Sequence, residues 1–328
     1  MLYRFRAIAP ALLGVLAVAN QATAQTQDFS QVEIKTTPLR DNIYMLEGEG
    51  GNIGLFVGED GTFLIDDQFA PLTDKIKAAI AEVTDEPVKF LINTHWHFDH
   101  TGGNENLGNE DVVILAHENV RQRLSTGGLI EALSMDIPPA PAAALPVITY
   151  DDGVTFHLNG DTIHAIHPKM GGHTDGDTFL HWAKANVIHT GDLFFNGLYP
   201  FIDTSSGGSL MGMIMDVNQI LAMTNDQTLI IPGHGALASR QDLLNYRNML
   251  MTVHVKTVLA ITQGQTLEEF IASKPTAEFD DALGKGFLTP EQFQTIVYKD
   301  VSAAMNSDHP HHDDDQRGDN NHGEHHPH

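Results

Sequence analysis

Runs and alternations of apolar residues divide the chain into short extended segments followed by helical stripes. Residues 42–46, 54–57 and 62–66 are brief strand-like runs separated by glycine-rich turns, which predicts an antiparallel meander. Over residues 73–83 the apolar side chains Ile76, Ala79, Ile80 and Val83 recur at helical spacing. The run Val88-Lys89-Phe90-Leu91-Ile92-Asn93 reads as a further strand, followed by a helix near 118–124 and a proline-rich connection over 137–146. A second set of strands is expected from Val147 and carries His173, Asp192 and His234. From Gln241 the pattern turns helical: residues 242–258 hold Leu243, Leu244, Tyr246, Met249, Leu250 and Val253, and shorter helices are predicted at 267–273 and 290–298. Strands alternating with helices predict an α/β fold of two βα halves in one unit, with a helical C-terminal part.

The two ends break this pattern. Arg4 and Arg6 precede an apolar stretch over residues 7–19, too short to span a bilayer, and Ala22-Thr23-Ala24 is a small-x-small cleavage site. Residues 1–24 therefore read as a signal peptide and 25–306 as the catalytic domain, with a periplasmic or secreted location and no membrane attachment after cleavage. Residues 307–328 are a different polymer: from Asp308 onward there are seven histidines, six acidic residues and no large apolar side chain. Such a segment cannot bury enough surface to fold and is expected to be disordered, with loose metal affinity.

Composition narrows the function. The formal net charge of −25 becomes −27 once the two signal-peptide arginines are removed, and so acidic a surface repels phosphate backbones, which excludes nucleic acid as a partner. The chain has no cysteine, so neither a disulfide framework nor a cysteine-linked lipid anchor is available. A small-molecule substrate is expected, and the sequence carries no signal for oligomeric state.

The densest chemistry follows the strand that ends at Asn93. Thr94-His95-Trp96-His97-Phe98-Asp99-His100-Thr101-Gly102-Gly103-Asn104 places three imidazoles and a carboxylate within six residues. That is the ligand set of a borderline metal such as Zn²⁺. His95 and His97 are two apart, so on an extended segment they point the same way, while Trp96 and Phe98 point away into packing. Asp99 and His100 follow where a helix starts, so one pair can serve one metal and the next pair a second.

The pattern H-x-H-x-D-H after an apolar strand, followed by T-G-G-N, resembles the signature of the metallo-β-lactamase superfamily. The resemblance covers roughly residues 38–248 and implies an αβ/βα four-layer sandwich with a dinuclear metal site at one edge. It also implies the remaining ligands. His173, in Gly172-His173-Thr174, would complete a three-histidine site with His95 and His97. Asp192, after Val187-Ile188-His189-Thr190-Gly191, would bridge two metals. His234, in Pro232-Gly233-His234-Gly235, would join Asp99 and His100 on the second. Two Zn²⁺ ions per chain are expected, with Asp99 and Asp192 as the catalytic carboxylates and Asp66, rather than its neighbour Asp67, as the acceptor behind the metal-bound histidines.

Other attractive residues lie outside the matched elements. His117, His157, His164, His167, His181, His189 and His254 read as ordinary surface or core histidines, and Asp175 and Asp177 as turn or capping residues. Ser205, Ser206 and Ser209 sit in a glycine-rich loop that reads as a flexible flap on the substrate side. Among the activities the family implies, export favours a hydrolase of cyclic amides or esters, with β-lactam hydrolysis the most specific form. β-Lactamases with a cysteine at the Asp192 position carry a carboxylate-binding lysine soon after it. This chain has Leu193-Phe194-Phe195-Asn196-Gly197 there, so Arg240, Lys169 or a zinc ion would take that role. A glyoxalase II-like thioesterase, a lactonase and a phosphodiesterase are the alternatives. A persulfide-oxidising iron enzyme and a zinc-binding protein acting through its tail are further ones.

Overall fold

The computed structural model describes residues 28–307, so the signal peptide expected over 1–24 and, Ser307 aside, the tail expected over 307–328 lie outside the described residues. The chain divides at Gln31/Val32, and the described strands and helices all belong to the unit from Val32 onward. Two large sheets organise that unit. The first runs in the order Lys35–Pro38, Ile43–Glu47, Ile53–Phe56, Thr62–Ile65, Val88–Ile92, Val113–His117, Ile148–Tyr150. Its first four strands form the expected antiparallel meander, and its last three pair in parallel with their neighbours. Parallel pairing needs a crossover. Between Thr62–Ile65 and Val88–Ile92 the crossover contains the helix Thr73–Ala81, which buries Ile76 and Ile80.

The second sheet runs Gly153–Leu158, Asp161–Ile166, Phe179–Trp182, Val187–His189, Leu229–Ile231, Ala238–Ser239. Ile43, Met45, Phe56, Phe63, Ile65, Ile92 and Leu115 of the first sheet share a buried core with Ile163, Leu180, Trp182, Val187 and Ile231 of the second. Pleating sends alternate residues to opposite faces. Leu180 and Trp182 therefore enter this core while Phe179 enters another, together with Ile188, Ile230 and the helices Leu210–Ala222, Arg240–Thr262 and Pro290–Ser307. The result is the αβ/βα sandwich with a helical C-terminal part. Among the described residues, no helix is long and apolar enough to cross a membrane.

Three expectations change. Ile148–Tyr150 pairs with Val113–His117 at the edge of the first sheet, so the second sheet begins at Gly153 rather than Val147. Periodicity marks a strand but does not name its partner. Two helices, Leu210–Ala222 and Ala277–Leu283, were not expected. In the first, eight buried positions leave little polar face for a periodic signal. The helices expected at 242–258 and 290–298 extend to Arg240–Thr262 and Pro290–Ser307. The former starts with a capping box, Ser239 and Asp242 each accepting from the other's backbone N–H, worth about 1 kcal/mol.

Candidate metal centre

The candidate ligands gather beyond the strand ends at one edge of the two sheets. His95 and His97 follow Val88–Ile92, Asp192 follows Val187–His189, His234 follows Leu229–Ile231, and His173 precedes Phe179–Trp182. After His97, extended at φ −65° and ψ 148°, the chain enters the short helix Phe98–Thr101, which turns Asp99 and His100 back toward the histidines. The structure brings all seven residues together in two groups. His95, His97, His173 and Asp192 form one, and Asp99, His100 and His234 the other. Asp192 touches both, with Oδ2 3.6 Å from His173 Nε2 and 3.4 Å from His234 Nε2, and Oδ1 3.1 Å from His100 Nε2.

Small residues admit this density. A Cβ at Gly51 would lie 2.1 Å from the His100 ring, and one at Gly233 2.0 Å from Asp192 Oδ1. Neither position accepts a side chain without displacing the cluster.

A surrounding layer of acceptors fixes which ring nitrogen faces inward. Asp66, fully buried at the end of Thr62–Ile65, takes the Thr94 N–H on Oδ1 at 2.7 Å. Its Oδ2 accepts from Thr94 Oγ1 at 2.7 Å and from His100 Nδ1 at 2.8 Å. Since the Thr94 hydroxyl hydrogen is spent on Asp66, His95 Nδ1, 3.0 Å from Thr94 Oγ1, must donate to it. One carboxylate thereby turns Nε2 of both rings toward the cluster. Asp67 instead takes the Gly103 N–H at 2.9 Å. His173 Nδ1 donates to the Phe201 carbonyl at 2.8 Å, and Asp177 closes the turn beneath it by accepting the N–H groups of His173 and Thr174.

Asp203 was not among the residues expected from the sequence. Its Oδ2 lies 3.0 Å from His97 Nε2, which leaves His97 Nδ1 facing the cluster. Its Oδ1 accepts from the Ser205 hydroxyl and the Ser206 N–H. The loop read as a flap is a hydrogen-bonded turn with Asp203 and Ser206 buried: Trp96 Nε1 donates to Ser206 Oγ at 3.1 Å, and Ser209 caps the following helix. A carboxylate followed by Thr-Ser-Ser-Gly is a turn signal that could have found it. Lys169, named for a substrate carboxylate, pairs with Asp152 on the exposed surface. Of the discounted histidines, His189 is fully buried, held by the Asn52 carbonyl and the Gly191 N–H, and His117 stacks on His167 at 3.8 Å between ring centres.

The donor arrangement fits a metal. His97 Nδ1 and His173 Nε2 are both bare acceptors, yet they face each other at 2.9 Å, and buried His95 Nε2 has no hydrogen-bond partner. Two lone pairs at that distance repel unless a cation lies between them. Ligand atoms on a tetrahedral zinc stand about 3.3 Å apart. The first group spans 2.9 Å (His97–His173), 3.6 Å (His173–Asp192) and 3.8 Å (His95–Asp192), bracketing that value.

Electrostatics separate the groups. Burial pushes the His95 ring well below its ordinary range, with repulsion from His100 second, and takes His173 down to about 4. In the other group burial is outweighed: Asp192 and Asp99 hold His100 well above its ordinary range and lift His234 to about 9. Reciprocally, burial raises the two carboxyls, but His100 and His234 bring Asp99 down to about 2 and, with His95, hold Asp192 well below the carboxylate range. The pocket is built to hold positive charge.

Comparison with known proteins agrees with this geometry. The sequence profile of the metallo-beta-lactamase superfamily matches residues 46–239, which contain all seven residues. A probable hydroxyacylglutathione hydrolase of Schizosaccharomyces pombe is 25% identical over 145 residues, 44% of this chain and 47% of that protein, so the match spans under half of that relative's length. A metallo-beta-lactamase from Pontibacter korlensis superimposes with a TM-score of 0.55 at 18% identity, covering 67% of this chain and 99% of that one. A stereoselective inverting sec-alkylsulfatase from Pseudomonas sp. superimposes with a TM-score of 0.61 at 15% identity, covering 81% of this chain and 50% of that one. With the profile spanning more than half of its length, the chain belongs to the metallo-beta-lactamase superfamily.

Proposed function

We propose that this protein is an exported dinuclear zinc hydrolase that opens a cyclic amide or ester carbonyl, with β-lactam hydrolysis as the first activity to test. The observation that carries the reading is the pair of facing bare acceptors, His97 Nδ1 and His173 Nε2, beside a carboxylate, Asp192, that touches both ligand groups. His95, His97 and His173 would hold one ion, Asp99, His100 and His234 the second, with Asp192 shared between them. Bound there, the ions supply Lewis acidity, polarising a carbonyl and making water acidic enough to ionise near neutral pH.

The chain's own residues do the rest. Asp66, Asp203 and the Phe201 carbonyl keep the ring nitrogens aimed, so no ligand has to reorient during turnover. Asp99 and His234 have 19% and 22% of their side chains exposed, against 1% for His95 and 0% for His173, so substrate must arrive on the Asp99 side. Asp99 Oδ2, kept ionised, is positioned there to accept a hydrogen bond from an attacking water and orient it. Export rests on the charged, apolar and small-residue succession at residues 1–24.

A second reading, a glyoxalase II-like thioesterase, is favoured by the stretch shared with the fission-yeast hydroxyacylglutathione hydrolase. Initial rates on a penicillin, a cephalosporin, a carbapenem, an acyl-homoserine lactone, a thioester and a phosphodiester, measured side by side, separate the readings. With no lysine among residues 193–197 and Lys169 paired elsewhere, a β-lactam carboxylate lacks its usual lysine contact, worth about 1.5–3 kcal/mol, and is left to Arg240 or a zinc ion, so Michaelis constants near the upper end of the enzyme range are expected. Turnover of the thioester or phosphodiester alone would remove the lactam assignment. Elemental analysis of the mature protein cut after Asn306 is expected to give close to two zinc ions per chain, and a single iron would overturn the mechanism.

A further inference from the structure

Gly51 and Asn52, which lead into the strand Ile53–Phe56, supply no candidate ligand, yet between them they hold all three residues of the Asp99, His100 and His234 group. The Gly51 N–H donates to the Asp99 carbonyl at 3.0 Å, and the His100 ring fills the space that a side chain on Gly51 would take. Asn52 holds the third residue through its neighbours. Its Nδ2 donates to the carbonyls of Pro232 at 2.9 Å and Gly235 at 2.8 Å, and its backbone N–H donates to that of Gly233 at 2.7 Å. Of the four carbonyls in Pro232-Gly233-His234-Gly235, three therefore end on Asn52, and the fourth is that of His234 itself.

These contacts leave no freedom in how Asn52 sits. Carbonyl oxygens only accept, so the amide nitrogen, not its oxygen, must face Pro232 and Gly235. The backbone carbonyl of Asn52 is used as well: His189 Nε2 donates to it at 3.0 Å, which leaves His189 Nδ1 to accept the Gly191 N–H at 3.2 Å. Gly191 precedes Asp192, so a chain of hydrogen bonds runs from the turn carrying the shared carboxylate, through His189 and Asn52, to both flanks of His234. Both residues of this chain are buried. In such a place a lost donor leaves a carbonyl unpaired, which costs more than the bond itself is worth. A buried asparagine joining two sheets would ordinarily serve the fold alone. Here its side-chain bonds land on either side of a ligand, whereas the His95, His97 and His173 rings are held by other groups, Thr94, Asp203 and the Phe201 carbonyl.

We infer that Asn52 is a positioning residue for the second ion: by fixing Pro232 and Gly235 it keeps His234 Nε2 beside Asp99 and Asp192. Without its side chain, the ion held by Asp99, His100 and His234 is weakened and the ion held by His95, His97 and His173 is not. The spacings it protects are 3.3 Å from His234 Nε2 to Asp99 Oδ2 and 3.4 Å to Asp192 Oδ2. This role rests on the dinuclear reading for the existence of a second ion, and not on the identity of the substrate. Losing a hydrogen-bond partner behind a ligand costs about 10–100-fold in metal affinity, and two such bonds flank His234.

Zinc titrated into the metal-free full chain in competition with a chelator tests this, for the native protein, Asn52→Ala and Asn52→Asp. His234→Ala marks which binding step belongs to the second ion, and zinc taken up by the tail is common to all four proteins. Asn52→Asp fills the same space and keeps every backbone bond, so it removes only the Nδ2 donors. Both Asn52 variants are expected to weaken the step marked by His234→Ala by about 10–100-fold and to leave the other step within about twofold. A second readout needs no metal. In the metal-free variants the Gly233 amide, which donates to the Phe194 carbonyl, is expected to exchange its hydrogen about tenfold faster, while the His173 amide, held by Asp177, exchanges at the native rate. Native affinity for both ions in the two variants would overturn the inference. So would equal losses at both steps, or loss of the circular dichroism signal in both variants, which would assign Asn52 to the fold alone. If the native chain shows no step sensitive to His234→Ala, the dinuclear reading itself fails and the role of Asn52 falls with it.

Discussion

The two halves of the metal centre share residue types and differ in their contact with water. His95, His97 and His173 are closed off, at most 5% exposed, and their outer nitrogens are tied to Thr94, Asp203 and the Phe201 carbonyl. Asp99 and His234 keep about a fifth of their side chains in solvent, beside a His100 that has none. The closed half is set by orientation and burial, which favours neutral rings and hence metal ligation. The open half is dominated by charge, with two carboxylates against two rings. The lesson is that a closed group can hold an ion firmly, whereas the group that meets substrate must leave one side accessible.

Removing the residue common to both halves tests the comparison hardest. Asp192→Ala should lower kcat/KM by at least the 10–100-fold typical even of outer-layer changes, with zinc lost from both groups and the fold retained by circular dichroism. Near-normal turnover with both ions kept would show that the halves do not depend on a shared carboxylate.

The next largest effects distinguish the outer acceptors. Asp66→Ala should weaken both ions, because Asp66 serves His100 directly and His95 through Thr94. Asp203→Ala should weaken only the closed-half ion, by about 10–100-fold in competition against a chelator. Equal losses at both ions in Asp203→Ala would dissolve the distinction between the halves.

Asp216 probes the support of the closed half. It is fully buried on the helix Leu210–Ala222, and a Cβ at Gly172, next to His173, would lie 2.8 Å from its Oδ2. Burial raises its carboxyl to about 7 from 3.8. A raised folded-state value stabilises the fold below about pH 4, and that contribution fades as the pH climbs to about 7, amounting to at most about 4 kcal/mol. Urea unfolding of Asp216→Asn should lose this part of the pH dependence between pH 4 and 7. An unchanged pH profile would place the buried negative charge elsewhere. The smallest effect belongs to the tail: a chain ending at Asn306 should keep kcat/KM within about twofold, and a collapse of activity would move function toward the histidine-rich segment.

Much of the centre was readable because its ligands cluster by spacing. His95 to His100 are local, whereas His173, Asp192 and His234 were readable through the superfamily's glycine-flanked motifs, each at the end of a strand or in the turn before one. Asp66 was readable through the resemblance, at the end of an apolar run where the family places such an acceptor. Asp203 was not, because nothing along the chain links it to His97, 106 residues away.

Local patterning therefore decided the element types, the meander, the helical C-terminal part and the metal-binding residue types, since hydrophobic period and ligand chemistry are properties of neighbours in sequence. Tertiary packing decided which sheet takes Ile148–Tyr150, which nitrogen of each histidine faces inward, and which half of the centre meets water. Those outcomes depend on contacts between segments tens to more than a hundred residues apart. Side-chain period alone cannot specify them, because the same apolar face can bury against any partner of suitable form, and only the assembled sandwich selects one.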